Sequence, residues 1–182
     1  DRPAKVYAAG GLNVFGRRAP ADKRCRTCDE VTTCPYAVRP KDRGSVNQAD
    51  GCVYAVDIDV DDNSQLLVEY EHNRRATYTE VHFTPEYTRE FTLFGDRGKM
   101  YGFYNNEGDF LIRVTYRHST RVDEYHPHHG GGAHGGGDKM LMQEFLACIA
   151  EGRQPVPSIV AARDSTAIAA AALALPPLIV GP

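Results

Sequence analysis

Two stretches of this sequence hold residue types that can do chemistry. RCRTCDEVTTCPY, from Arg24 to Tyr36, holds Cys25, Cys28 and Cys34, and Cys52 follows further on. A C-x2-C pair lets two thiolates grip one ion from a single turn. Two more cysteines complete the tetrahedron zinc prefers, at about 2.3 Å per Zn–S bond. A structural zinc would contribute on the order of 10 kcal/mol to a segment with little core of its own. Lys23, Arg24 and Arg26 stand close in sequence and favour thiolates. Zinc on Cys25, Cys28, Cys34 and Cys52 is therefore expected, with reduced unligated thiols and a disulfide or cluster as alternatives. Cys148 belongs to an apolar helical stripe and reads as a core residue.

The second stretch is HPHHGGGAHGGGD, His126 to Asp138, four histidines and six glycines that run into an apolar helix. It lacks an i,i+4 histidine pair on a helix, and its glycines would preorganise metal ligands poorly. The glycines make better sense where backbone must approach a ligand closely. Gly135, Gly136, Gly137 and Asp138 open a helix, where free N–H groups attract oxygen-rich ligands. Asp138 is expected to cap that helix rather than to act as a catalyst. His134, between two glycine triplets, is expected in a pocket, with His126, His128 and His129 facing solvent. A third stretch, DIDVDDN from Asp57 to Asn63, lacks the glycine and terminal glutamate of a calcium loop. It reads as acids on the wet face of a strand.

The positioning elements are mostly strands. Ala4 to Leu12 opens in a strand-like run, and a polar cysteine-bearing loop follows from about 16 to 51. Strand signals then recur at Cys52–Val60, Ser64–His72, Arg75–Phe83, Arg89–Gly95, Gly98–Asn105 and Asp109–His118. HNRR, GDRG and NNEG connect them as hairpin turns, with Gly95, Gly98 and Gly108 expected at positive φ. Two helices come late. One carries Leu141, Met142, Phe145, Leu146 and Ile149 as a stripe and ends at Gly152. The other follows Ser158 and stops at Pro176-Pro177. The class is α+β: an open, mostly antiparallel β-sheet with helices packed on one face, in a single domain over residues 1–182.

Composition bounds the partners. A formal net charge of −3 excludes a polybasic nucleic-acid binder and offers a membrane surface no attraction. The longest apolar run is Ala-rich and broken by prolines, so it reads as a buried helix rather than a membrane span. An odd cysteine count without a secretory signal points to a reducing, cytoplasmic setting. There is no GxGxxG after a strand and opening a helix, so the chain is not expected to bind a dinucleotide unaided. Beginning at Asp1 in a strand-like pattern, it reads as a fragment of something longer.

Taken in order, VYAAGGLNVF, RCRTC…CPYAV, CVYAVDIDVDDNSQLLVEYEHNRRATYTEVHF, REFTLFGDRGKMYG and GGAHGGGDKMLMQEFLACIAEG resemble the C-terminal domain of the Gfo/Idh/MocA oxidoreductases. The resemblance covers nearly the whole chain. It implies a domain that supplies one wall of the substrate pocket and a subunit interface, while a separate N-terminal Rossmann domain, outside this chain, holds NAD or NADP. His134, Gly135, Gly136, Gly137 and Asp138 match the family's substrate-side Gly-His-Gly-Gly-x-Asp loop. No catalytic residue carries over, because the family's Glu-Lys-Pro motif and Asp-x-x-x-His helix have no counterpart here. The implied reaction passes hydride between nicotinamide and a sugar- or cyclitol-like carbinol carbon. An NAD-dependent glycosidase and a non-catalytic zinc-stabilised interaction module are the alternatives. Tyr70, Tyr78, Phe83, Phe91, Phe94, Tyr101 and Tyr104 exceed what one helical layer covers, which points to a homo-oligomer, a dimer, through the sheet.

Overall fold

The computed structural model describes residues 1–38, 50–105, 108–128, 130–131, 133–156 and 158–174. His129 and the prolines at 176 and 177 lie outside the described residues. The chain forms two compact units, Asp1–Phe83 with Val160–Pro182, and Thr84–Ile159.

The first unit holds a three-stranded antiparallel sheet of β1 (Pro3–Gly11), β2 (Asn63–Tyr70) and β3 (Arg75–Val81), in that spatial order. The register aligns Val6, Val68 and Ala76 across the three strands, and Val68 on the central strand is buried. Asn73, at φ 57°, turns the β2–β3 hairpin. The second unit holds a four-stranded antiparallel sheet of β4 (Thr88–Phe94), β5 (Gly98–Asn105), β6 (Phe110–Tyr116) and β7 (Val122–Tyr125). Phe91, Tyr104 and Phe110 stack on one of its faces, with ring centroids 6.3 and 5.7 Å apart. The expected α+β class with open antiparallel sheet is therefore observed, its strands divided between two sheets.

Of the three turn glycines, only Gly108 has positive φ, at 94°. Gly98 is needed for a different reason: a Cβ there would collide with the carbonyl oxygen of Thr115 on β6. Helix α1 (Gly137–Glu151) ends as expected at Gly152, in the left-handed conformation, and α2 (Ile159–Ala174) begins directly after Ser158. Cys148 is buried on α1, where Arg153 donates to its sulfur (3.1 Å) and clamps Glu144. That arginine, with a smaller contribution from Cys148, holds the Glu144 carboxyl down at about 2. The stripe itself is exposed: Leu141, Met142, Phe145, Leu146 and Ile149 are each more than half accessible. No helix among the described residues is long and apolar enough to cross a membrane.

The expected strand Cys52–Val60 does not form. Its backbone groups instead bond the irregular segment after β1: Gly16 N–H donates to Val53 O (2.8 Å), Ala19 N–H to Tyr54 O (2.8 Å), and Val56 N–H to Ala19 O (2.8 Å). Ala19 and Ala55 meet in an isolated bridge and are both buried. What fixes this irregular layer is Asp62, which the sequence pattern placed on a wet face. It is 2% exposed. Its carboxylate accepts the backbone N–H groups of Asn13, Val14 and Phe15 at 2.7–3.1 Å, and the Asn63 amide at 2.9 Å. Burial alone would push this carboxyl up. The bonds from Phe15, Asn13, Asn63 and Val14 outweigh it and hold Asp62 well below its ordinary value of 3.8.

Two predictions follow from this packing. Val68→Ala removes two buried methyl groups and is expected to lower unfolding stability by about 2 kcal/mol in a urea titration; a change indistinguishable from zero would place Val68 outside the core. Because its folded pKa is depressed, Asp62 stabilises fully above its unfolded value, and that contribution disappears as the pH falls through the folded one. Stability of the wild type should therefore decline more steeply below pH 3.8 than that of Asp62→Asn. Parallel acid-unfolding curves would contradict this.

Candidate functional site

The four cysteines of the first unit come together around one cavity. Cys25, Cys28, Cys34 and Cys52 all line a space of about 370 Å³, together with Arg18, Lys23, Arg24, Glu30, Tyr36 and Tyr54. Three tethers position them. Arg24 and Gly51 form an antiparallel bridge, flanked by bonds from Cys25 N–H to Asp50 O (2.8 Å) and from Cys52 N–H to Lys23 O (3.1 Å). A 3-10 turn over Cys25–Thr27 then brings Cys28 N–H to Cys25 O, at 3.3 Å. Cys34 N–H closes the following turn on Glu30 O, at 2.8 Å. Asp50 is the anchor: 2% exposed, it takes Arg26 Nε and Nη2 at 2.8 Å each in a bidentate pair.

An aromatic cluster supports the cavity wall. Phe15 meets Tyr36, Tyr54 and Phe83 edge to face at 5.0, 6.4 and 6.3 Å, and Arg18 lies 5.1 Å above the Tyr54 ring. Burial, then the neighbouring Cys34, push the Tyr54 hydroxyl up from its ordinary value. The Cys28 thiol, which hydrogen-bonds the Lys23 ammonium, raises the Lys23 pKa, and Glu30 adds to that at 3.7 Å. All five cysteines are free thiols. Among the described residues, no three His, Cys, Asp or Glu side chains converge closely enough to hold a metal ion. The zinc tetrahedron expected from the spacing is thus not preformed: the thiols stand around a cavity rather than on a point.

The histidine–glycine run lies in the second unit. A 3-10 turn, Ala133–Gly136, leads into α1 with Gly136 as its N-cap at φ 92°. A Cβ on Gly136 would lie 3.2 Å from Gly130 Cα and 3.4 Å from Gly131 O, so this glycine is present for backbone crossing backbone, where the sequence reading expected close approach to a ligand. Asp138 is not the cap. The turn starts the helix earlier than expected, and no side chain bonds the capping position. Asp138 sits in the first turn, where its charge suits the helix dipole, and pairs with His134: Nδ1 is 2.9 and 3.0 Å from the two carboxylate oxygens. His134 itself has φ 51°, a left-handed conformation uncommon for a residue with a Cβ. A carboxylate on Nδ1 fixes the tautomer and leaves Nε2 to an incoming group. The His134 ring is 81% exposed, so it stands at the surface and not in the pocket expected from the sequence. His126 and His128 are exposed, as expected, beside Phe103, Asp109 and Phe110 in an open depression.

Sequence reasoning missed the two buried aspartates. The usable signal was local: Asp62 is followed by Asn63, whose amide shares its carboxylate, and Asp50 precedes a glycine that bridges Arg24.

No protein-family model matches the chain. A curated relative does: the Bacillus subtilis (strain 168) protein named "Putative oxidoreductase YteT" is 23% identical over 182 residues, covering 80% of this chain. The chain is similar to an oxidoreductase over most of its length. The resemblance to a C-terminal domain of Gfo/Idh/MocA type agrees with that match, and the chain spans 42% of YteT's length. Among solved structures, a levoglucosan dehydrogenase in complex with NADH and L-sorbose aligns with a TM-score of 0.45 and 18% identity, covering 66% of this chain and 39% of that one.

One substitution tests the glycine geometry. Gly136→Ala forces a methyl group into a left-handed, crowded position and is expected to cost about 1–3 kcal/mol. Hydrogen exchange should show the loss in the first turn of α1 and not in β5 and β6. Unchanged protection would refute the close approach.

Proposed function

We propose that this chain is the substrate-binding and oligomerisation part of an NAD(P)-dependent oxidoreductase that acts on a CH–OH group of a sugar- or cyclitol-like molecule. The observation that carries the reading is the His134–Asp138 pair set on glycines beside a helix N-terminus, in a chain similar to YteT over 80% of its residues. A polyol hydroxyl is both donor and acceptor. It can donate to a neutral Nε2 that Asp138 has oriented, while backbone N–H groups at the start of α1 receive a second oxygen. Gly137, where a Cβ would lie 3.9 Å from His134 Cβ, keeps a side chain out of that space.

The described residues offer no strand followed by a glycine-rich turn and a helix, the arrangement that cradles a dinucleotide pyrophosphate. On the family resemblance, we assign the nicotinamide cofactor to a Rossmann domain outside this chain. When bound, it supplies the hydride chemistry. This chain orients the carbinol. The second unit also exposes Phe91, Leu93, Met100, Tyr116 and Tyr125 on one face of its sheet, an apolar area suited to a second copy.

In the intact enzyme, His134→Ala is expected to raise KM for the carbinol substrate about tenfold, with the far-ultraviolet circular dichroism unchanged. Kinetics equal to wild type, on a panel of sugars and cyclitols with NAD and NADP, would remove His134 from the substrate site.

A further inference from the structure

The oxidoreductase reading leaves the cysteine cavity without a role. We propose that it is a thiolate metal centre, in which Cys25, Cys28, Cys34 and Cys52 close on one borderline-to-soft divalent cation such as zinc or ferrous iron. This inference does not depend on the oxidoreductase reading.

Three observations carry it. The first is convergence: four free thiols from three separate turns line one cavity, although only five cysteines exist in 182 residues and the fifth is packed elsewhere on α1. The second is scaffold. Cys25 and Cys52 are held in fixed register by the Arg24–Gly51 bridge and the buried Asp50–Arg26 pair, and Cys28 is tied to Cys25 through its own turn. The four thiols line one cavity without converging on a point, so the turns that carry them have to draw in for the sulfurs to meet. An ion supplies the free energy for such a contraction, since metal binding and local folding are coupled in sites of this kind.

The third is charge. Four thiolates around a divalent cation carry a formal charge of −2. The cavity is also lined by three cations, Arg18, Lys23 and Arg24, and one carboxylate, Glu30, a net of +2. Lys23 lines the same cavity as Cys28 and is ion-paired with Glu30 at 3.7 Å. Outer hydrogen bonds to ligating sulfur are what hold a metal–thiolate site in place. A pair of disulfides would leave those same cations facing neutral sulfur.

Titrating the full, reduced chain with cobalt(II) tests this directly. The expected result is saturation at about one ion per chain, with thiolate-to-cobalt charge-transfer absorption and the intense visible bands of tetrahedral cobalt. Zinc should displace the cobalt, and iron(II) should give a thiolate–iron spectrum at the same stoichiometry if iron is the natural occupant. Cys28→Ser with Cys34→Ser should abolish the signal, while Cys148→Ser should retain it. Should the double variant fail to fold, stoichiometric metal release from wild type by a thiol-specific reagent provides the same reading. A reduced chain that binds no cobalt, shows no charge-transfer band, or binds equally without Cys28 and Cys34 overturns the proposal.

Discussion

The carboxylate of Asp62 is the constraint on which the first unit rests. Three successive backbone N–H groups, from Asn13 to Phe15, point at one buried anion, and the chain leaving β1 can turn only because that anion receives them. Without it those part-buried donors would lose the acceptor they share. With it, Phe15 is delivered to the centre of the Tyr36–Tyr54–Phe83 cluster, and Gly16 to Ala19 lie against Val53 to Val56. Asp50 repeats the device a few residues before Cys52. The apolar core is correspondingly small: Ala19, Cys25, Ala55 and Val68 are its buried members in this unit.

Buried anions of this kind set where reactive groups stand. Asp50 fixes the register of the two segments that carry Cys25 and Cys52, so thiols from a loop with almost no regular structure line a common cavity. Asp138 does the equivalent in the second unit, at the surface. It holds an imidazole whose backbone already occupies a left-handed conformation, on glycines that permit the chain to cross itself. In both places an aspartate, more than regular secondary structure, sets where a reactive side chain stands.

The parts legible in the sequence were those governed by periodicity. Six strands and both helices fell where alternation and apolar spacing put them, although the apolar stripe that signalled α1 is exposed. Cys52–Val60 failed for a physical reason: its alternating Val and Asp residues look like a strand, yet its hydrogen-bond partners are an irregular loop rather than a strand. Val122–Tyr125 was missed because four residues give too little alternation to read. Asp62 was taken for one more surface acid in DIDVDDN. Apart from the Asn63 that follows it, nothing in local pattern distinguishes it from the exposed Asp57, Asp59 and Asp61, since its backbone partners lie nearly fifty residues earlier. The HGGGD run stood out in the sequence because glycine triplets are out of place in the interior of a helix or strand. The roles within it were not legible, as Asp138 shows by pairing with His134 instead of capping.

The measurement that tests this account most directly is residue-resolved amide hydrogen exchange in wild type and in Asp62→Asn. If the buried anion organises the first unit, protection at Val14, Phe15 and Ala19 and at Val56 collapses together in the variant, while β5 and β6 keep theirs. Should those amides stay protected once the charge is gone, the loop is held by something else, and Asp62 is merely buried.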